Sequence, residues 1–544
     1  MAIYEKRWFM WDYARLRRFD REEFLLVADK LKALGYNGIG LYLEGAFDFN
    51  CFDGILRDGV MTREDAKWAK AECEKRGLFL FPMTNVVGHM EHFLRQERFK
   101  KMKLSQASPK YDIAFQTPEA EELAMKIIYD YLDAFEIKYI HIGGDEVKVT
   151  DENKPIYAKF LARLCDKLLS EGIKPAIWND MLWAHKELCE PFSREVELFD
   201  WHYCGHRKES TEYFVEQGFK KVYVCPSENS WIGFIGQSYS AFRFDADREP
   251  VTHYEIEAFL SDGAELENYK ERSALITNWE GTQGRDLWGQ WSALARAGLY
   301  MTGDLKNREE NDELIERAIF GRVTPYTEIV RTIQTEIHIP LLELVKKNLP
   351  KASVNYTSSI RAALFIPSYF KDVMISASNK SFFDYELIGK VIDKCSDLLQ
   401  SWTPEGAFEE RCYNSIASVI SLMRAAFALH KAAADCGKYY SVAAEKQFSA
   451  SEEAKRLIIE FAKGFRAAKE KAVAYRADLA RLIDCTGHTP TDLARIDIIM
   501  GFMDGIADYL ESLVISDRFC LIPLPSFDGV VKWIAERELI ESVQ

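Results

Sequence analysis

Residues 137–146 read Ile137-Lys138-Tyr139-Ile140-His141-Ile142-Gly143-Gly144-Asp145-Glu146. An apolar, β-prone run passes through two glycines into two adjacent carboxylates. In a barrel built of parallel strands, the C-terminal end of a strand is where reactive side chains gather. Two carboxyl groups held together push their proton affinities apart, leaving one an acid and the other an ionised base. A surface turn with two solvated acids would account for an Asp-Glu pair alone. The flanking strand, the glycines and the preceding His141 argue against that plainer reading.

Working outward, the first 300 residues alternate short apolar runs with amphipathic stretches. The runs are Trp8–Trp11, Gly38–Leu43, Leu78–Phe81, Tyr139–Ile142, Pro175–Trp178, Val196–Phe199, Val222–Cys225 and Ala274–Thr277. Helical stretches between them include Arg21–Leu34, stopped by Gly35, and Thr62–Arg76, stopped by Gly77. Two more are Glu119–Phe135 and Ile156–Glu171, the latter stopped by Gly172. Glycine just past the last periodic residue is a helix stop. Eight strand–helix repeats predict an α/β fold with a parallel sheet, closed as a (β/α)8 TIM barrel over residues 1–305. An open doubly wound sheet is the alternative. Past residue 305 the strand-like runs fade. Long breaker-poor segments such as Glu452–Ile483 predict a mostly α-helical C-terminal domain over 306–544, covering the barrel or forming a homodimer interface.

A chain of 544 residues is too long for one core, in keeping with two domains. Its 28% charged and 48% hydrophobic residues are those of an ordinary globular protein. A net charge of −15 argues against nucleic acid or an anionic membrane as the main partner. The start lacks the long apolar run of a signal peptide, and no stretch suits a membrane span. The eleven cysteines are scattered, with no C-x-x-C pair, and read as reduced and mostly buried. A cytoplasmic location is therefore expected.

Functional side chains recur after nearly every strand. They are Asp12 and Arg15; Glu44; Asn85 and Gly88-His89; His141, Asp145 and Glu146; Trp178-Asn179-Asp180; Asp200-Trp201-His202-Tyr203; Glu228, Asn229 and Trp231; and Asn278-Trp279-Glu280. Such repetition marks a rim of βα loops. Ten of the twelve tryptophans precede residue 300. Acids interleaved with indoles suit a sugar pocket, because pyranose C–H faces stack on the rings and carboxylates take the hydroxyl hydrogen bonds.

His141-Ile142-Gly143-Gly144-Asp145-Glu146 resembles the H-x-G-G-D-E signature of family-20 glycoside hydrolases, the β-N-acetylhexosaminidases. Trp8–Arg15 looks like that family's first-strand segment, and Gly88-His89-Met90-Glu91 like its third-strand segment. Trp178, Trp201 and Trp279 fall where the family places the tryptophans of its acetamido pocket. The resemblance spans roughly residues 7–300. It implies an exo-acting retaining enzyme that releases terminal GlcNAc or GalNAc by substrate-assisted catalysis through an oxazolinium ion, an exception to the two-carboxylate scheme. On that reading Glu146 is the acid and then the base, and Asp145 orients the acetamido N–H and stabilises positive charge. His89 and Glu44 back the pair, Arg15 grips ring hydroxyls, the three tryptophans wall the N-acetyl pocket, and His141 lies at the substrate surface. No cofactor or metal is implied, and the partner is a small carbohydrate.

The chain departs from the family pattern in places. The family's acetamido-binding tyrosine has no clean match, with Tyr203 and Tyr239 both candidates. Glu280 follows Trp279 directly where the family places its glutamate two residues on, which puts its contact to the distal hydroxyls in doubt. A metal-dependent amidohydrolase would need clustered His ligands near the first strand, and the ten histidines are dispersed. A non-catalytic carbohydrate-binding barrel would keep the tryptophans and lose the acids, yet Asp145 and Glu146 are both present.

Overall fold

A computed structural model describes residues 2–14, 17–52, 59–106, 108, 110–202, 208–227, 255–279, 287–305, 311–338, 384–446, 452–486 and 491–515. Eight strands form its first unit: β1 (Lys6–Asp12), β2 (Gly38–Tyr42), β3 (Phe79–Met83), β4 (Tyr139–His141), β5 (Lys174–Trp178), β6 (Glu197–Trp201), β7 (Val222–Cys225) and β8 (Ser273–Asn278). All neighbours are parallel, and the order round the sheet is the chain order. Trp8 of β1 stands opposite Gly38 of β2, while Lys6 of β1 stands opposite Ser273 of β8. That last pairing closes the barrel and excludes the open doubly wound sheet.

The strands are apolar on both faces, as a helix-covered parallel sheet requires. In β1, Trp8 and Met10 point into the barrel core with Tyr42, Phe81, Tyr139, Phe199 and Tyr223. Phe9 and Trp11 point outward onto Tyr36 and Phe24. The Trp8 ring needs Gly38 beside it, since a Cβ there would lie 2.4 Å from Trp8 Cδ1.

Helices return the chain between strands: α1 (Arg21–Ala33), α2 (Arg63–Lys75), the short α3 (Glu91–Leu94), α4 (Pro118–Phe135), α5 (Lys154–Ser170), the short α6 (Asp180–Ala184), α7 (Lys208–Glu216) and α8 (Glu255–Glu265). Their starts are fixed locally. Asp20 accepts the Glu23 N–H at 2.7 Å, Thr62 and Asp65 form a reciprocal capping box, and Pro118 opens α4 behind the cap Thr117. After β8 come α9 (Trp291–Thr302) and α10 (Asp312–Phe320). The unit holding the barrel runs on to Val323, past the boundary of 305 read from sequence, because α10 packs against α9.

The second unit is helical among its described residues: α11 (Tyr326–Thr332) with a π turn over Ile333–His338, then α12 (Tyr385–Gln400), α13 (Gly406–Lys446), α14 (Glu452–Thr486) and α15 (Thr491–Ile515). Ion pairs set α14 antiparallel to α15: Arg466 meets Asp508 and Glu511, Lys469 meets Asp504, and Arg476 meets Asp497. Among the described residues, no helix is long and apolar enough to cross a membrane.

Candidate active site

The loop leaving β4 is shaped by its glycines. Gly143 and Gly144 have φ of 78° and 101°, and Glu146 follows at 49°. A side chain at Gly143 is sterically impossible as the loop stands, for a Cβ would sit 1.5 Å from Asn85 Oδ1. At Gly144 it would meet Leu161 of α5 at 2.7 Å. The Tyr157 hydroxyl of α5 donates to the Gly144 carbonyl at 2.5 Å, and the Trp178 N–H donates to the Gly143 carbonyl at 3.1 Å. Tethered so, the loop carries the two acids in different surroundings. Asp145 is buried at 7% exposure, whereas the Glu146 side chain is 47% exposed.

Glu44 and His89 also adopt the left-handed conformation, with φ of 42° and 50°. A non-glycine residue held there costs on the order of 1–3 kcal/mol, and such residues cluster at functional sites. Three of the chain's four described cases meet at this strand-end cluster; the fourth, Glu136, ends α4. His89 Nε2 lies 3.2 Å from Glu146 Oε2 and 3.7 Å from Asp145 Oδ2. Burial works against the imidazolium, but the hydrogen bond to Glu146 and the charges of Asp145, Glu44 and Glu91 outweigh it and raise the His89 pKa to about 9. His89 is thus a cation at neutral pH, facing both acids.

Behind it, the Tyr42 hydroxyl donates to Glu44 Oε1, and His92 Nε2 lies 3.5 Å from Glu44 Oε2. Tyr131 donates to the Glu44 carbonyl at 2.5 Å, and Asn85 Nδ2 donates to the Tyr42 hydroxyl at 2.8 Å. On the other side Asp180 Oδ2 accepts the Glu146 N–H at 2.9 Å, and Lys110 Nζ donates to the Glu146 carbonyl at 2.6 Å. Burial, reinforced by the charge of Asp145, raises the Asp180 pKa to about 7.

The tryptophans close the inner end. Trp178 is buried in the barrel core, 6.1 Å from the Trp279 ring, and Trp279 meets Tyr42 edge-on at 4.9 Å. Trp201 and Trp279 are half-buried and pack on that core from above. Below Trp201, Asp200 is wholly buried among donors. Asn179 reaches its Oδ1 at 2.7 Å, Ser210 Oγ and Thr211 Oγ1 reach its oxygens at 2.5 Å, and His202 Nε2 lies 3.0 Å away. Burial opposes its charge, but His202 and the hydroxyl donors prevail and lower its pKa to about 2. The network ties β5, β6 and the start of α7 into one support.

Of the residues singled out in the sequence, Asp145, Glu146, His89, Glu44, Trp178, Trp201 and Trp279 meet at the C-terminal mouth of the barrel. His141 corrects the reading that put it at the substrate surface. It is wholly buried, accepts the Gly143 N–H at 3.2 Å through Nδ1, and packs on Trp178 and Phe199. It supports the loop from beneath, and burial keeps it neutral by lowering its pKa. Arg15, Tyr203, Glu280, Glu228, Asn229, Trp231 and Tyr239 lie outside the described residues. The sequence reading missed His92 and Lys110, and left Asp180 as a strand-end residue without a role. His92 carries a signal in its i+3 spacing from His89, whereas the distant Lys110 carries none. Among the described residues, no group of three or more His, Cys, Asp or Glu side chains is placed to hold a metal.

Fold and site together define a (β/α)8 barrel with an acidic pair at the mouth of its fourth strand. Solved structures similar to the chain include a β-N-acetylhexosaminidase from Bacteroides fragilis, at 16% identity over 58% of this chain and 69% of that one, with a TM-score of 0.45. A Streptomyces plicatus β-hexosaminidase in complex with its product GlcNAc is similar at 13% identity over 58% and 68%, with a TM-score of 0.44. A family-20 exo-β-N-acetylglucosaminidase from Vibrio harveyi is similar at 15% identity over 57% and 56%, with a TM-score of 0.41. No protein-family model matches the chain, and no curated protein matches it.

Proposed function

We propose that the chain is an exo-acting, retaining β-N-acetylhexosaminidase of glycoside hydrolase family 20, working by substrate-assisted catalysis. The observation that carries this reading is the pairing, in one glycine-shaped turn, of a buried Asp145 with an open Glu146, both facing the His89 cation.

In the first step the substrate's acetamido oxygen attacks C1, and the bond from C1 to the leaving oxygen breaks. Glu146 gives its proton to that oxygen. Asp145 accepts the acetamido N–H and, as an ionised group out of water, stabilises the positive oxazolinium ion. In the second step Glu146 takes a proton from water as the water attacks C1, and the bond to the acetamido oxygen breaks. The β-configuration is retained. His89 offsets part of the carboxylates' mutual repulsion and fixes the acid's direction. The resemblance gives Arg15 and Glu280 to the sugar hydroxyls, Tyr203 or Tyr239 to the acetamido oxygen, and Trp178, Trp201 and Trp279 to the N-acetyl wall. The seven free cysteine thiols among the described residues support a reducing, cytoplasmic setting.

The test compares hydrolysis of aryl β-N-acetylglucosaminide, aryl β-N-acetylgalactosaminide and plain aryl β-glucoside by the purified chain. Cleavage of the acetamido sugars alone is expected, and their ratio gives the preference at C4. Equal cleavage of the glucoside would replace the neighbouring group by an enzymic nucleophile. No cleavage of any of the three would favour a carbohydrate-binding barrel.

A further inference from the structure

Asp180 opens α6, immediately after β5 and Asn179. Its Oδ2 accepts the backbone N–H of Glu146 at 2.9 Å, at the very residue whose φ is 49°. Part of the residue is solvent-accessible, but its Oδ1 is buried and has no hydrogen-bond partner among the described residues. The titratable groups that face it are Asp145 and Glu146 from the β4 loop and Tyr157 from α5. His89 stands one step away, on Asp145 and Glu146, and Lys110 lies on the Glu146 carbonyl.

We propose that Asp180 is a positioning residue of the acidic pair, whose carboxyl holds the Glu146 peptide in its left-handed turn and stands as a third acid that tunes the proton on Glu146. The inference rests on the hydrolase reading above. A left-handed glutamate is held only when its surroundings over-determine it. The Asp180 acceptor and the Lys110 donor grip the two polar atoms of that residue's backbone from opposite sides. The charge argument follows from the same contact. With a pKa raised to about 7, Asp180 is neutral in acid and negative above neutrality. A negative charge beside Glu146 disfavours the ionised form of that acid. As the pH rises, Asp180 therefore helps Glu146 keep the proton it must donate.

Two substitutions separate the roles. Asp180→Asn keeps an acceptor for the Glu146 N–H and removes the charge. Asp180→Ala removes both. Activity on the acetamido sugar is measured with kcat and KM resolved from about pH 4 to about pH 9, alongside Tm over the same range. Asp180→Asn is expected to retain kcat in acid and to move the alkaline limb of activity to lower pH by about half a unit or more. Asp180→Ala is expected to lose roughly tenfold or more in kcat at every pH, with KM changed less than about threefold.

Stability gives a readout independent of turnover. Between the ordinary carboxylate value of 3.8 and about 7, the folded chain holds a proton on Asp180 that the unfolded chain has lost. Wild-type stability therefore falls as pH rises through that span, and Asp180→Asn escapes this loss. The Tm difference in favour of Asp180→Asn should widen across the span and level off above it. Superimposable pH–activity profiles, or parallel Tm curves, in an active enzyme would overturn the inference alone. A wild-type chain inactive on every acetamido sugar would overturn the hydrolase reading and the inference with it.

Discussion

Glu146 and Asp145 are neighbours in sequence with opposite exposures, and the roles proposed for them rest on that difference. Glu146 can meet a leaving group and water. Asp145 is shut away from solvent, where a charge is worth most, which is why the proposed mechanism gives it the stabilising part. Glu146→Gln should lower kcat about 10²–10⁴-fold on sugars with poor leaving groups and much less on activated aryl glycosides, because protonation matters least there. A leaving-group series measures this, and equal losses across the series would displace Glu146 as the acid. Asp145→Asn should lower kcat/KM about 10²–10³-fold whatever the leaving group. His89 supplies a pH signature. Its pKa is raised in the folded chain to about 9 from an ordinary 6.5, so its contribution to stability is complete below 6.5 and is lost as pH rises through about 9. Melting curves of wild type and His89→Gln should therefore differ most near pH 6 and converge above about pH 9.

At the scale of elements, the β4 loop owes its shape to what surrounds it. Asn85 from the β3 loop occupies the space where a Gly143 side chain would go, and Leu161 of α5 does the same at Gly144. Gly143→Ala must combine left-handed strain of about 1–2 kcal/mol with the displacement of Asn85. Since Asn85 also bonds Tyr42, which bonds Glu44, the shift should spread to the far side of the site. The expected result is a folded protein with a lowered Tm and at least about a tenfold loss in kcat. A variant with wild-type turnover would show that the loop tolerates another path.

For the molecule as a whole, the barrel is held by an aromatic interior. Trp8 packs against Phe79, Phe81, Tyr139 and Tyr223, with centroids between 4.7 and 5.6 Å. Trp8→Ala should cost about 3–5 kcal/mol, read as a fall in the denaturant midpoint, because rings drawn from several strands cannot all move into one void. By contrast, the ion pairs joining α14 to α15 are largely exposed, and each should contribute no more than about 1 kcal/mol.

The eight strands, and the early helices with the glycines that stop them, were legible from the chain alone, because they are set by apolar runs, amphipathic periodicity and stop glycines close in sequence. The capping contacts of Asp20, Thr62 and Thr117 came only with the structure. So was the acidic pair, whose glycines and adjacency are local facts. Closure between β1 and β8 was only inferred from counting repeats, since a pairing of Lys6 with Ser273 has no local trace. Sequence could not rank the strand-end residues by depth. His141 and Glu146 look alike as polar residues on either side of one glycine pair, yet His141, the last residue of β4, packs on the core tryptophan and Glu146 faces solvent. That order, and the contacts of Asp180, Lys110 and His89 with Glu146, was decided by tertiary structure. Burial and charge at the site depend on groups brought together from β3, β4 and β5, which no window of sequence contains.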